Sequence, residues 1–426
     1  MILVIIGLVF LLFALFGTPL FVILGGIALL SFHNLDIESS AVIIELYRIA
    51  SAPTLLAIPL FTFTGYILAE SKAPRRLVDV ANAFFGWMPG GLAIVALVTC
   101  AFFTAFTGAS GVTIVALGGL LYPILKKEGY PENFSLGLLT SSGSLGLLFP
   151  PSLPIILYGF VAQISIDKLF LAGIVPGILL IVLLSAFSLR KGNQVKIERT
   201  PFRFTNLGRS VLKAGWELPL PIIIIVGIYG GFFTATEAAA ITSFYVVVVE
   251  VFITRDLKLF KDIPRIMQES MLLVGGILII LGSAMGLTNF LIDEQVPMKI
   301  LEAMSAVISS KIVFLIMLNI FLLIVGCLMD IFSAIIVVVP LIVPIAKEFG
   351  VDPIHLGIIF LTNLEIGYST PPVGLNLFIS SFRFEKPVVQ LYRAALPFLA
   401  ILLIALLIIT YFPDLSLWLV NLVGKP

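Results

Sequence analysis

Residues 140–154 read TSSGSLGLLFPPSLP, and residues 361–375 read LTNLEIGYSTPPVGL. Each stretch lies in a long apolar segment able to cross a bilayer, yet each is crowded with Gly, Ser, Thr or Asn and carries a Pro-Pro pair, so the helix must open there. Opened backbone leaves carbonyls and amides unpaired, which at membrane depth is tolerated only where protein or a polar cavity supplies partners. Two such breaks at corresponding places in two half-chains point to the binding site of a transporter.

The composition around them agrees. Of 426 residues, 60 % are hydrophobic and 12 % charged, with a mean hydropathy of +1.18. No soluble domain hides that much apolar surface, and there is room for roughly ten spans of about 20 residues each. The opening run Ile2–Leu30 lacks a basic n-region and reads as a retained membrane segment rather than a signal peptide, its number of crossings left open. Cys100 and Cys327 fall in apolar runs and suggest neither a disulfide nor a metal site. The net charge of +1 identifies no partner, and no nucleic-acid contact is expected.

Working outward from the two breaks divides the chain. Residues 1–51 are expected to form N-terminal scaffold helices. Residues 52–189 form a first repeat, with a hairpin over 92–125 (tip TGASG, 107–111) and the broken helix over 134–159. A basic linker spans 190–217, and scaffold helices follow over 218–268. The second core, 269–380, holds a hairpin over 312–346 (tip MDIFS, 329–333) and the broken helix over 354–380, before a C-terminal helix and tail over 381–426. Sliding the sequence by 221 residues places Gly65 on Gly286, Pro123 on Pro344, Lys126 on Lys347, Gly129 on Gly350, Gly146 on Gly367 and Pro150-Pro151 on Pro371-Pro372. Matched Gly and Pro in one frame carry more weight than matched aliphatics, which are cheap in this composition.

Charge orients the repeats. The loops after Glu70, Leu125, Leu189, Ile253 and Ser381 hold 19 of the 25 Lys and Arg residues; Arg48, Lys168, Lys299, Lys311, Lys347 and Lys425 are the rest. The positive-inside rule makes the first group cytoplasmic, so the first hairpin enters from the cytoplasm and the second from outside. The expected fold is therefore an all-α polytopic membrane protein: inverted repeats with two re-entrant hairpins and two broken helices, the geometry of alternating-access carriers.

Sodium prefers several oxygen ligands, which opened Gly-rich backbone and small polar side chains supply. One cation is placed among Thr107, Gly108, Ser110, Ser141, Ser142, Gly143 and Ser144. A second is placed among Asp330, Ser333, Thr362, Asn363 and Gly367. Among acids inside spans, Asp330 and Glu365 are functional candidates because a carboxyl at that depth is costly; Glu250 lies near enough to one end to reach water. No Lys or Arg lies in the breaks, so an anionic substrate must be met by sodium and by helix N-termini near Ser110, Ser333 and the Pro-Pro pairs. The substrate contacts expected are Ser110, Gly111, Ser144, Pro150, Glu365, Thr370 and Pro371. Arg383 reads as an interfacial anchor.

These residues also carry a resemblance. FFTAFTGASG, YPILKKEGYP, LGLLFPPSLPIILYG, GIYGGFFTATEAAA and above all NLEIGYSTPPVGLNLF resemble the large membrane subunit (DctM or SiaM type) of tripartite ATP-independent periplasmic, or TRAP, transporters. The resemblance covers nearly the whole chain. It implies a sodium-driven secondary importer of organic acids such as C4-dicarboxylates, keto acids or sialic acid, with the elevator fold and mechanism of the ion-transporter superfamily, residing in the bacterial inner membrane. It further implies two partners: a small membrane subunit (DctQ or SiaQ type) and a periplasmic substrate-binding protein (DctP or SiaP type). A self-sufficient sodium/carboxylate symporter is the nearest rival. An intramembrane enzyme fits less well, since no HExxH pair and no GxSG-type nucleophile with a histidine in reach occurs. A channel fits less well because two opposed hairpins are a poor design for a continuous pore. No Walker sequence occurs, so ATP cannot drive the chain by itself, and no cofactor beyond the coupling sodium is expected.

Overall fold

The computed structural model describes residues 16–34, 40–195, 202–305 and 310–423, with the single positions 9, 10, 12, 13, 38 and 308. The crossing number of the opening run falls partly outside these residues. Among the described residues the chain is helical throughout, and seven helices are long and apolar enough to cross a membrane, or eight if the bent pair Glu132–Leu148 and Leu153–Ala162 is counted as one span.

The 221-residue offset is visible in the helix bounds. The first hairpin has an outer arm Gly91–Thr107 and a returning arm built from Ser110–Thr113, a π-helical turn Ile114–Gly118, and Gly119–Lys127. Adding 221 to 110 and 127 gives 331 and 348, the bounds of the second hairpin's returning arm Ile331–Glu348, which follows the outer arm Lys311–Leu328. The first broken helix consists of Glu132–Ser142, a 3-10 turn Leu145–Leu148, and Leu153–Ala162. The second consists of Pro353–Gly367 and Leu375–Phe384. Both Pro-Pro bonds are cis, and Gly129 and Gly350 both take positive φ after their hairpins.

Contacts at the helix ends fix the relative direction of the copies. Glu132, at the start of the first broken helix, meets Tyr122 of the first hairpin at 3.0 Å and Lys386, beyond the end of the second broken helix, at 2.6 Å. The Tyr158 hydroxyl, near the end of the first broken helix, donates to the Pro353 carbonyl at the start of the second, 3.0 Å away. The two broken helices therefore run antiparallel. Lys311 donates to the Gly350 carbonyl at 2.6 Å, so the base of the second hairpin lies at the face opposite the first.

Around this core stand Pro53–Glu70, Pro219–Tyr229, Ala235–Ile253 and Asp262–Asp293, the last packing along Leu20–Asn34, Ser40–Ala50 and Ala57–Glu70. At the basic face they are tied by Arg76, whose guanidinium meets Glu217 at 2.5 Å, Glu250 at 2.8 Å and Asp256 at 2.5 Å. Glu250 thus does not reach water as expected. It is fully buried and spends its charge on Arg76.

Candidate ion and substrate site

Each broken helix is pressed at its break against the outer arm of its own hairpin. A Cβ on Gly146 would collide with the Ala101 carbonyl and the Ala105 amide; one on Gly367 would come within 2.6 Å of the Gly326 Cα. Since 105 plus 221 is 326, the two close approaches are the same contact made twice. Between the breaks the copies touch: the Ser144 hydroxyl donates to the Glu365 carbonyl at 3.4 Å.

In the first repeat the polar groups converge, though around different side chains from those expected. The Thr104 hydroxyl lies 2.7 Å from Thr113 Oγ1 and 2.8 Å from the Gly143 carbonyl. With one proton to give, Thr104 donates to Gly143 and accepts from Thr113. Thr107 Oγ1 is 3.4 Å from Thr113 Oγ1 and 3.4 Å from the Ala109 carbonyl. Gly108 closes the hairpin in the left-handed region, its amide on the Thr104 carbonyl. Thr107, Gly108 and Gly143 are therefore joined through Thr104 and Thr113, which the sequence reading missed. A hydroxyl every three residues on both sides of the tip, Thr104 and Thr107, then Ser110 and Thr113, was the available signal.

The other expected members point elsewhere. The Ser110 hydroxyl donates to Asn376 Oδ1 at 2.7 Å, the Asn376 amide reaches the Thr140 carbonyl at 3.4 Å, and Thr140 donates to Ser380 at 2.9 Å. All four side chains are buried. They fasten the first hairpin and first broken helix to the last segment of the second. Ser142 back-bonds weakly to Leu139, and the buried Ser141 hydroxyl has no partner among the described residues.

The second expected cation cluster does not assemble. Asp330 is exposed and caps its own helix, accepting from the Phe332 and Ser333 amides at 3.0 Å each. Thr362 back-bonds to Ile358 at 2.7 Å. Asn363 donates to Asn319 Oδ1 at 2.8 Å, and Asn319 donates to Thr410 Oγ1 at 3.1 Å. Asn319 precedes Asp330 by eleven residues, about 16 Å along a helix, so Asn363 faces the shaft of the hairpin while Asp330 stands at its tip. Of the three members from the broken helix, among the described residues Gly367 alone reaches the end of the outer arm below that tip, against Gly326 and Cys327.

Of the expected substrate contacts, Glu365 is fully buried and neither carboxyl oxygen has a partner among the described residues. Gly111 lies against Ile379. Thr370 back-bonds to Ile366 at 2.9 Å, beside the half-exposed Pro371. Pro150 faces an apolar cavity of about 250 Å³ lined by Phe102, Phe106, Ile174 and Pro221. The two breaks differ in access: the first is sealed, whereas Pro372, Val373, Leu375 and the facing hairpin residues Leu328 and Asp330 are exposed. Arg383 is more than an anchor. Its Nε donates to the Val115 carbonyl at 2.8 Å, within the π-helical turn of the first hairpin, in space left by Gly119.

This geometry defines a polytopic membrane protein of two antiparallel repeats that meet at a polar crossing of broken helices. The profile of the family described as "Tripartite ATP-independent periplasmic transporter, DctM component" matches residues 4–415, and the chain belongs to that family. It is 40 % identical over 401 residues to the C4-dicarboxylate TRAP transporter large permease protein DctM of Pseudomonas aeruginosa, covering 94 % of this chain and 93 % of that one. It is 36 % identical to the isethionate TRAP transporter permease protein DctMQ of Oleidesulfovibrio alaskensis, covering 96 % of this chain and 65 % of that longer one. It is 34 % identical to the ectoine/5-hydroxyectoine TRAP transporter large permease protein UehC of Ruegeria pomeroyi, covering 87 % and 86 %. The crystal structure of the Alcanivorax borkumensis YdaH transporter shares the fold, with a TM-score of 0.60 at 14 % identity over 88 % of this chain and 87 % of that one. As a family member the chain is a multi-pass protein of the bacterial inner membrane.

Proposed function

We propose that the chain is the large permease of a sodium-driven importer of small organic acids, with C4-dicarboxylates first among them. The observation that carries the coupling is the oxygen cluster of Thr104, Thr107, Thr113 and the Gly143 carbonyl, drawn from a hairpin tip and an opened helix. Opened backbone of this kind is where secondary transporters hold their coupling ions. The relative at 40 % identity, named for C4-dicarboxylates, supports the substrate class.

Movement follows the division of the molecule. The two hairpins and two broken helices form a transport unit that slides as an elevator against the surrounding helices, which Arg76 ties at the basic face. That face is cytoplasmic by its excess of Lys and Arg. A small membrane subunit and a periplasmic binding protein complete the system; the part of the DctMQ relative beyond this chain's reach is long enough to hold a fused small subunit. Uptake of labelled succinate into vesicles holding the chain with its small subunit tests the whole reading. Uptake should need both a sodium gradient and the binding protein; gradient-independent uptake would overturn the coupling, and uptake without the binding protein would overturn the tripartite assembly.

A further inference from the structure

The helix Phe204–Lys213, in the basic linker, buries none of its side chains. Its sequence is nevertheless two-faced: Phe204, Leu207 and Val211 share one face with Leu212 beside them, while Asn206, Arg209 and Lys213 share the opposite one. Phe204 is 80 % and Leu212 81 % exposed. A helix with one apolar face, one basic face and no fully buried side chain has the build of an interfacial membrane helix. The helix packs beside Ala73–Phe85, and each of the two is followed by an exposed tryptophan, Trp87 and Trp216. Tryptophan collects at the boundary between headgroups and acyl chains, which places both helices at that level.

Between the two helices lies a pocket of about 210 Å³ lined by Asp79, Asn82, Ala83, Arg203, Asn206, Arg209 and Ser210. Neither Arg203 nor Arg209 forms an ion pair among the described residues, although Arg76 on the neighbouring helix holds three carboxylates. Two guanidiniums and one carboxylate give the pocket a net charge of 2 − 1 = +1. Guanidinium groups match phosphate in shape and charge, and Asn and Ser offer donors and acceptors for hydroxyls.

We propose that this pocket binds the headgroup of a singly anionic, hydroxyl-bearing phospholipid of the phosphatidylglycerol type. Arg203 and Arg209 take the phosphate, Asp79, Asn82 and Ser210 take the headgroup hydroxyls, and Phe204 and Leu212 lie among the acyl chains. The bound lipid tethers the linker, and through it the scaffold, to the leaflet at the basic face.

Native mass spectrometry of the full chain in detergent, with phosphatidylglycerol, phosphatidylethanolamine or phosphatidylcholine added, tests this. Two arginine contacts predict roughly tenfold stronger retention of phosphatidylglycerol than of phosphatidylcholine, falling as salt is raised from about 0.05 to about 0.5 M. The double variant Arg203→Gln with Arg209→Gln should lose that preference, while Lys213→Gln, outside the pocket lining, should keep it. Equal retention of all three lipids, or an unchanged double variant, would overturn the site. A preference for phosphatidylethanolamine would overturn the proposed headgroup. Displacement of lipid by millimolar inorganic phosphate would show a soluble-anion site instead. The wild-type lipid preference and its salt dependence need no variant to fold.

Discussion

Ser144 and Glu365 hold the same position in the two repeats, 221 residues apart, and they touch, the serine hydroxyl donating to the glutamate's backbone carbonyl over 3.4 Å. Positions related by a two-fold are equidistant from its axis, so two mates in contact must flank it closely. The axis relating the repeats therefore passes between the two breaks. What differs at this point, a hydroxyl in one copy and a carboxyl in the other, is where the copies have been given separate tasks.

Glu365 should show that separation most sharply. Its carboxyl is buried without a partner among the described residues, an arrangement that costs about 1–3 kcal/mol. Glu365→Met should therefore raise thermal stability by about that amount while cutting uptake at least tenfold. A variant that is both less stable and fully active would remove Glu365 from the site.

The threonine cluster makes a separable prediction. Valine matches threonine in shape, so Thr104→Val and Thr113→Val remove a hydroxyl without a void, and Thr104→Val also strips the donor from the buried Gly143 carbonyl. A loss of about 1.4 kcal/mol of ion binding corresponds to a roughly tenfold rise in the sodium concentration for half-maximal uptake. Asp330→Asn, which alters a helix cap rather than this cluster, should leave that concentration within about twofold. Sodium titrations of uptake in vesicles would decide it.

Gly146 and Gly367 should be equally intolerant. An added methyl at either meets backbone, which cannot swing aside, so each alanine variant should lose about 1–3 kcal/mol or more of stability. Gly275, with nothing within 4 Å, is the control: Gly275→Ala should gain up to about 1 kcal/mol from helix propensity. Thermal denaturation of the three variants in one detergent is sufficient.

Arg76 governs the acid stability of the basic face. Burial pushes the Asp256 carboxyl up, but hydrogen bonds from Arg76 and Lys72 outweigh it and hold the group below the usual carboxylate range. A depressed value means that this stabilisation is complete above about pH 4 and is lost as the pH falls through the folded-state value. Arg76→Gln should weaken it, so the variant melts below the wild type near neutral pH and the gap narrows as the pH falls. It also strands Glu217 and Glu250, both buried, at a cost of about 3–5 kcal/mol. Melting curves from about pH 3 to 7 would show both effects; curves parallel to the wild type would contradict them.

Much of the architecture was legible because Gly and Pro punctuate a helix wherever it occurs. The Pro-Pro pairs, Gly146 and Gly367 marked the breaks, and the returning arms 110–127 and 331–348 emerge in the same frame as those residues. The partners of polar side chains were not legible, because they depend on which helix face meets which distant segment. Asn363 turned toward Asn319, Ser110 toward Asn376 and Glu250 toward Arg76, contacts between residues 44, 266 and 174 apart in the chain. Thr104 and Thr113 lie about one helical turn from the tip, inside runs that otherwise read as plain apolar helix, so beyond their three-residue spacing their hydroxyls carried no local signal of a shared site.

The hydroxyls of Ser110 and Thr140 find their partners, Asn376 and Ser380, only when the last quarter of the protein has been made. During synthesis the first copy must wait in the lipid with an unfinished polar seam. A truncation before residue 376 should leave that seam open to degradation.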